Sequence, residues 1–106
     1  MTPEQLLPYI ASVFNEMPFN KLIGLQVTRF DEEVAEVRFN WSAQLVGNPL
    51  QQILHGGVIA SVLDVAGGLM AVSSALGRVS QVAPEQLYER FGKMSTIDIR
   101  TDYLRP

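Results

Sequence analysis

Two glycines directly follow the single histidine of the chain and open its longest apolar stretch, which runs over residues 56–77. Glycine lets a ligand approach bare backbone closely, and the first turn of a helix offers unpaired N–H donors at the positive end of the helix dipole. The N–H groups of Gly56 and Gly57 would suit the oxygen of a polarised carbonyl, and better still the oxyanion that forms on attack. A Gly-Gly pair taken alone is more typical of a tight turn from loop to helix, so both interpretations stay open.

Asp64 is the one ionisable residue of this apolar stretch. Burying a carboxylate is costly without a partner, and carboxylates kept in such places are often functional, although many are hydrogen-bonded core groups. We therefore expect a buried Asp64 with a functional role. About 12 Å of helix rise separates it from Gly56, too far for it to act on a carbonyl at the start of its own helix. Two such helices packed antiparallel across a two-fold axis would solve the distance, which hints at an active site shared between two chains.

The elements that would position these residues follow the order helix, strand, strand, long helix, strand. The first helix is predicted to start at Thr2 and Pro3, with Gln5 in the capping-box position. Pro8 is expected to delay or kink this helix, which ends near Pro18. An order of this kind predicts the α+β class rather than alternating α/β.

Alternation of apolar and polar residues predicts three strands. Residues 25–30 and 34–39 form the first two, joined as a hairpin by the acidic residues 31–33, and residues 95–104 form the third. The connections are predicted to be a turn closed by Gly24, an irregular loop over 43–54 and a short helix over 84–91.

Composition narrows the classes of function. A chain of 106 residues suits one small domain, and its sparse charge, 18% of residues, suggests that part of the surface is buried against another subunit. The formal charge of −3 and the scarcity of basic runs argue against a nucleic-acid partner. The absence of cysteine excludes disulfides and thiolate metal sites and is compatible with the cytoplasm. No early basic cluster marks the N-terminus as a secretory signal.

Residues 56–77 could be mistaken for a membrane span. An aspartate at the bilayer centre costs about 2.5–3.5 kcal/mol even on the lenient insertion scale, and glycines and serines dilute the hydrophobicity of the stretch. In a soluble protein, a helix that is apolar on every side is a buried core helix. We therefore predict no membrane association.

Leu54-His55-Gly56-Gly57 followed by Asp64 resembles the signature of the small hotdog-fold acyl-CoA thioesterases, of the phenylacetyl-CoA and 4-hydroxybenzoyl-CoA thioesterase type. The ending over residues 96–106 is similar to the strand that follows the helix in that family, and the resemblance extends from the first predicted strand to the last residue. It implies a curved antiparallel sheet wrapped around one long helix. It also implies a homodimer, or a homotetramer built as a dimer of dimers.

The resemblance implies hydrolysis of the thioester of an acyl-CoA, or less readily of the thioester carried by an acyl carrier protein. The products are a free acid and a thiol. The reaction requires no metal or cofactor. Gly56 would donate its backbone N–H to the thioester oxygen. Asp64 would be the general base for water or the nucleophile that forms an anhydride. Thr96 matches a position that often carries a hydroxyl near the attacking water.

Three further residues are assigned to substrate binding by the same resemblance: Asn48, His55 and Gly57. The family's loop asparagine precedes the histidine by six residues, where this chain has Pro49, so Asn48 is the nearest candidate. We expect His55 to hold the loop in place rather than to carry a proton.

Two other functions are compatible with the fold: a non-catalytic acyl-CoA sensor and a hydratase. A sensor has no need of a buried base, and a hydratase would need a second partner beside His55.

Asp98 and Asp102 flank Arg100 and are expected to form a solvated row of ion pairs of little energetic value. A hotdog sheet has five or more strands and only three are predicted here, so residues 1–106 are expected to form a single domain that is C-terminally incomplete.

Overall fold

The computed structural model describes residues 2–78, 85, 86, 89 and 92–105. Three helices and two small antiparallel sheets make up the described residues, which confirms the α+β class. The elements are α1 (Pro3–Glu16), α2 (Pro18–Ile23), β1 (Gln26–Phe30), β2 (Ala35–Arg38), a 3₁₀ turn (Ala43–Leu45), β3 (Val46–Asn48), β4 (Ile53–Leu54) and α3 (Gly56–Leu76). The helix predicted over residues 84–91 falls largely outside the described residues.

The first helix begins where its capping signals place it. The Thr2 backbone N–H donates to Oε1 of Gln5 at 2.9 Å, as in the capping box that begins α1. The helix starts at Pro3 and continues through Pro8, so the predicted delay is wrong. Residues 19–23, which the sequence predicts as a turn closed by Gly24, belong instead to the short helix α2, which starts at Pro18. Gly24 ends α2 at a φ of 73°, the left-handed conformation that glycine adopts without steric cost.

The predicted hairpin is confirmed as the sheet of β1 and β2, in which Val27 opposes Val37. Oδ1 of Asp31 accepts hydrogen bonds from the backbone N–H groups of Glu33 and Val34 at 2.8 and 2.9 Å, which closes the turn. A second hairpin, β3 with β4, occupies much of the segment that was predicted to be an irregular loop. Both strands are too short for a period of two to be visible in their sequence.

The core lies between α1 and the C-terminal half of α3. Its buried residues are Leu6, Leu7, Ile10, Leu69, Val72 and Leu76, with side chains of the β1–β2 hairpin packed against them. The N-terminal half of α3 is less covered, since Leu63 is 51% exposed and Ile59 is 38% exposed. The prediction of a helix buried on every side is therefore wrong for this chain, in which one face of α3 is covered and another is open.

Residues 94–105 form no strand, although the alternation of residues 95–104 predicted one. No described strand pairs with this segment, and Ile97 remains 98% exposed. A strand exists only where a neighbour satisfies its backbone groups, so alternation alone did not suffice. Among the described residues, α3 is the one helix long and apolar enough to cross a membrane, a test that core helices of soluble proteins also pass.

Candidate active site

The β3–β4 hairpin holds the residue that precedes α3. The His55 backbone N–H donates to the carbonyl of Leu45 at 2.8 Å, and the His55 Cα lies so close to Gly47 that a Cβ there would sit 2.5 Å from it. No side chain fits at that distance, so Gly47 is required for the hairpin to hold His55 at the head of the helix. No sequence signal indicates this role of Gly47, because its partner lies across a hairpin that the pattern of residues does not predict.

His55 caps α3 through its side chain. Its Nδ1 accepts a hydrogen bond from the Gly57 backbone N–H at 2.8 Å, and its carbonyl accepts from the Val58 N–H at 2.9 Å. The accepting Nδ1 requires a neutral imidazole with its proton on Nε2. A Cβ on Gly57 would lie 2.9 Å from that nitrogen, so the cap needs glycine there. These contacts fit the interpretation of His55 as a residue that fixes the loop.

The capping contacts leave one donor of the first turn available. The N–H groups of Gly57 and Val58 are directed to His55, whereas the Gly56 N–H has no hydrogen-bond partner among the described residues. An unpaired N–H at the positive end of a helix is the group that an oxyanion requires. The geometry thus favours Gly56 over Gly57 as the carbonyl-binding donor.

Tyr103 packs against the start of α3, a contact that no sequence signal predicts. Its hydroxyl donates to the Gly56 carbonyl at 2.6 Å, and its ring would lie 3.3 Å from a Cβ on Gly56. In a regular strand over residues 95–104, Tyr103 and Thr96 would lie on opposite faces. Both residues nevertheless contact α3, because the segment that carries them is not a regular strand.

Thr96, from the segment after α3, contacts Asp64 near the middle of α3. The Thr96 Oγ1 donates to Oδ1 of Asp64 at 2.6 Å, and the second carboxylate oxygen accepts no hydrogen bond from the described residues. Asp64 is exposed in the single chain, which corrects the expectation of a buried carboxylate. The reason is the one-sided packing of α3, whose core face carries Leu69, Val72 and Leu76. An oriented carboxylate with one free oxygen can accept a proton from water.

Asn48 is the last residue of β3 and pairs with Ile53 across the second hairpin. Its Oδ1 accepts from the backbone N–H groups of Leu50 and Gln51 at 3.0 and 3.2 Å, and its carbonyl accepts from the Gln52 N–H at 2.8 Å. These bonds give Asn48 a clear part in shaping the turn. Its assignment to substrate binding stays a prediction.

The acidic residues of the last segment, Asp98 and Asp102, both lie at the surface. Arg100 Nε lies 3.4 Å from Oδ2 of Asp102, with both side chains largely exposed, as expected for a solvated ion pair. Among the described residues, no group of three or more potential ligands is placed to hold a metal ion.

An apolar cleft of about 990 Å³ lies between α1, α3 and residues 92–100, and Asp64 and Thr96 line it. The lining is mostly apolar and comes from aliphatic and aromatic side chains of α1, from α3 and from residues 92–100. The oriented carboxylate therefore faces a space suited to an apolar ligand.

Comparison with known proteins gives relatives over the whole chain. No family model matches the sequence. The medium/long-chain acyl-CoA thioesterase YigI of Salmonella typhimurium is 47% identical over 107 aligned residues, covering 100% of this chain and 69% of the relative. The protein of that name from Escherichia coli K12 is 46% identical over the same coverage.

Two solved structures are also similar to this chain. A Shewanella oneidensis protein related to the thioesterase superfamily superposes with a TM-score of 0.92 at 44% identity, covering 98% of this chain and 69% of that one. A Syntrophus aciditrophicus protein, described as a candidate thioesterase, superposes with a TM-score of 0.76 at 34% identity, covering 93% of this chain and 66% of that one.

Proposed function

The chain belongs to the hotdog-fold acyl-CoA thioesterases of the thioesterase superfamily, and on that premise we propose how it hydrolyses its substrates and which ones it takes. The substrates are medium- to long-chain acyl-CoA thioesters, the class in the names of its relatives. Asp64 is the catalytic carboxylate. The observation that carries the assignment is the Thr96–Asp64 hydrogen bond of 2.6 Å at the wall of an apolar cleft.

Gly56 binds the carbonyl. Its N–H is the first-turn donor that His55 leaves unpaired, and it gains most when the thioester oxygen becomes an oxyanion. Because Tyr103 packs on one side of Gly56, the substrate reaches this N–H from the side that the ring leaves open. His55 and Gly57 act indirectly, by fixing the peptide that carries the donor.

Asp64 acts as a general base. Thr96 fixes one carboxylate oxygen, and the free oxygen takes a proton from water as the water oxygen attacks the carbonyl carbon. The C–S bond of the tetrahedral intermediate then breaks, and Asp64 gives the proton to the departing sulfur. Coenzyme A thus leaves as the thiol, and Asp64 is again a carboxylate. Direct attack by Asp64 to form an anhydride uses the same oxygen, so the nucleophilic route is the alternative within this site.

The site is shared between two chains. About 12 Å of helix rise separates Gly56 from Asp64, whereas base and bound carbonyl must lie within hydrogen-bond reach of one water. Antiparallel packing of two α3 helices brings each Asp64 to the partner's helix start, and the exposed Leu63 next to Asp64 offers apolar surface for that packing. A homodimer is the smallest assembly that completes the site, and a dimer of dimers holds two such pairs. Coenzyme A esters are intracellular metabolites, so the cytoplasm is the proposed compartment.

The test measures thiol release from aliphatic and aromatic acyl-CoAs by the purified chain and by Asp64→Asn. Asp64→Asn keeps the shape of the side chain and removes the base, so we expect about 2–4 kcal/mol of transition-state stabilisation to be lost. Binding of acyl-CoA without thiol release by the unmodified protein would support the sensor instead. Activity of Asp64→Asn within a few-fold of the unmodified protein would contradict the assignment of Asp64.

A further inference from the structure

Tyr103 is held beside α3 by two contacts with a single residue. Its hydroxyl donates to the Gly56 carbonyl at 2.6 Å, and its ring lies 3.3 Å from the place that a Cβ on Gly56 would take. Burial does not explain this position, because Tyr103 is 54% exposed and its segment pairs with no described strand. The reason for the position must therefore lie in what Tyr103 does to Gly56.

The peptide unit that joins Gly56 to Gly57 is hydrogen-bonded at both ends. Its carbonyl accepts from the Tyr103 hydroxyl, and its N–H, that of Gly57, donates to Nδ1 of His55 at 2.8 Å. A peptide unit is planar and rigid, so two bonds at its opposite ends fix its orientation. Hydrogen bonds in such a chain also polarise one another, so the bond from Tyr103 strengthens the cap made by His55.

The Gly56 N–H takes its orientation from its surroundings. Glycine has more backbone freedom than any other residue, and this N–H has no hydrogen-bond partner of its own among the described residues. On the N-terminal side, the His55 carbonyl is held by the Val58 N–H at 2.9 Å. On the C-terminal side, Tyr103 holds the Gly56 carbonyl. A donor to an oxyanion is most effective when it is fixed before the reaction begins.

We propose that Tyr103 is a positioning residue for the carbonyl-binding donor, which it fixes by holding the Gly56 carbonyl and by covering the Gly56 Cα. The inference rests on the proposed hydrolysis and adds to it a residue that acts through Gly56 and not on the substrate. The oxyanion carries more charge than the substrate carbonyl, so a well-placed N–H stabilises the transition state more than the bound substrate. Tyr103 should therefore raise kcat with little effect on KM.

The experiment compares Tyr103→Phe with Thr28→Val, using octanoyl-CoA as the substrate. Tyr103→Phe keeps the ring and removes the hydroxyl. Thr28→Val also removes a hydroxyl that donates to a backbone carbonyl, that of Glu36 at 3.2 Å in the β1–β2 hairpin, and so controls for the general loss of such a bond. We expect Tyr103→Phe to lower kcat about five-fold, the effect of one neutral hydrogen bond, with KM within about two-fold. An unchanged kcat in Tyr103→Phe, a change in KM alone, or an equal loss in Thr28→Val would overturn the proposal.

A measurement of backbone motion separates this inference from the proposed reaction. The order parameter of the Gly56 N–H is measured by NMR relaxation in the unmodified protein and both variants, without substrate. Rigid backbone has a value of about 0.85, and flexible backbone falls below about 0.6. The amide of Leu69, which is fully buried in the core part of α3, serves as the internal reference.

A lower order parameter at Gly56 in Tyr103→Phe alone, with Leu69 unchanged, supports the positioning role. It does so even if the unmodified protein releases no thiol and the proposed reaction fails. An equally ordered Gly56 N–H in all three proteins refutes the positioning role, even if hydrolysis is observed. Equal falls at Gly56 and Leu69 would show a general loosening of α3 and would also refute it.

Discussion

The hydroxyl of Thr96 donates to Oδ1 of Asp64 at 2.6 Å, across 32 residues of sequence. A charged acceptor with one fixed oxygen keeps its free oxygen in a defined direction, which is what a base for a bound water requires. The bond also joins the segment after α3 to the helix, and a second bond, from Tyr103 to the Gly56 carbonyl, joins it at the helix start.

Replacement of Thr96 by valine should lower kcat about ten-fold or more, since a hydrogen bond to a charged group contributes about 1.5–3 kcal/mol. KM should change little, because Thr96 orients the base and is not proposed to hold the substrate. Thr96→Ser should restore most of the turnover by restoring the hydroxyl. Thr101→Val removes a hydroxyl from the same segment without touching Asp64 and serves as control. Equal kinetics for the two valine variants would argue against this role for Thr96.

Mixed dimers of two inactive variants should recover activity. Asp64→Ala removes the base and Gly56→Pro removes one backbone N–H, and His55 already has the extended conformation that precedes a proline, with φ −63° and ψ 134°. If the site takes its two groups from opposite chains, each mixed dimer holds one intact site. Random re-association should then give roughly a quarter of the normal turnover.

The mixing experiment depends on the folding of both variants, since a ring atom at position 56 would press on Tyr103. Each variant must first be shown to dimerise and to exchange subunits. Two well-folded, exchanging variants that stay inactive when mixed would refute the shared site.

Gly47→Ala should destabilise the chain by about 1–3 kcal/mol, the usual cost of forcing atoms into a packed site. The added Cβ would lie 2.5 Å from the His55 Cα, so the hairpin or the helix cap must move. Gly67→Ala adds the same methyl group where no heavy atom lies within 4 Å, and it should be neutral or slightly stabilising. Urea unfolding midpoints of the two variants check the contrast, and equal midpoints would contradict the role of Gly47.

Glu32→Gln should raise the melting temperature at neutral pH and lose this effect in acid. Glu4 raises the pKa of Glu32, first through the hydrogen bond between the two side chains and then through its charge. Because the folded-state pKa is raised, the favourable contact is complete below the ordinary glutamate range and is lost as pH rises through the raised pKa. Glutamine keeps a hydrogen-bonding group without the charge.

Melting temperatures at pH 4 and pH 7.5 check this expectation for Glu32. The control is Glu33→Gln, since Glu33 contributes least to raising the pKa of Glu32. A gain at neutral pH as large in the control as in Glu32→Gln would show that the Glu4–Glu32 contact is not its source.

The sequence by itself determined the elements whose signals are local. The cap of α1 lies within Thr2 to Gln5, the β1–β2 hairpin follows from alternation around Asp31, and α3 starts at the glycine pair. Such signals act over a few residues, so they can be interpreted without knowing what packs nearby. The motif formed by the glycine pair and Asp64 likewise carried the family resemblance, which the relatives confirm.

Only the tertiary structure decided how the site is assembled. Whether residues 95–104 become a strand depends on a neighbouring strand, and whether Asp64 is buried depends on what covers its face of α3; neither is encoded near those residues. Gly47 packs against His55 across the second hairpin. Tyr103 donates a hydrogen bond to Gly56, which lies 47 residues earlier in the chain. Such contacts arise from the packing of whole elements, and a single sequence records which residues are present but not which of them meet.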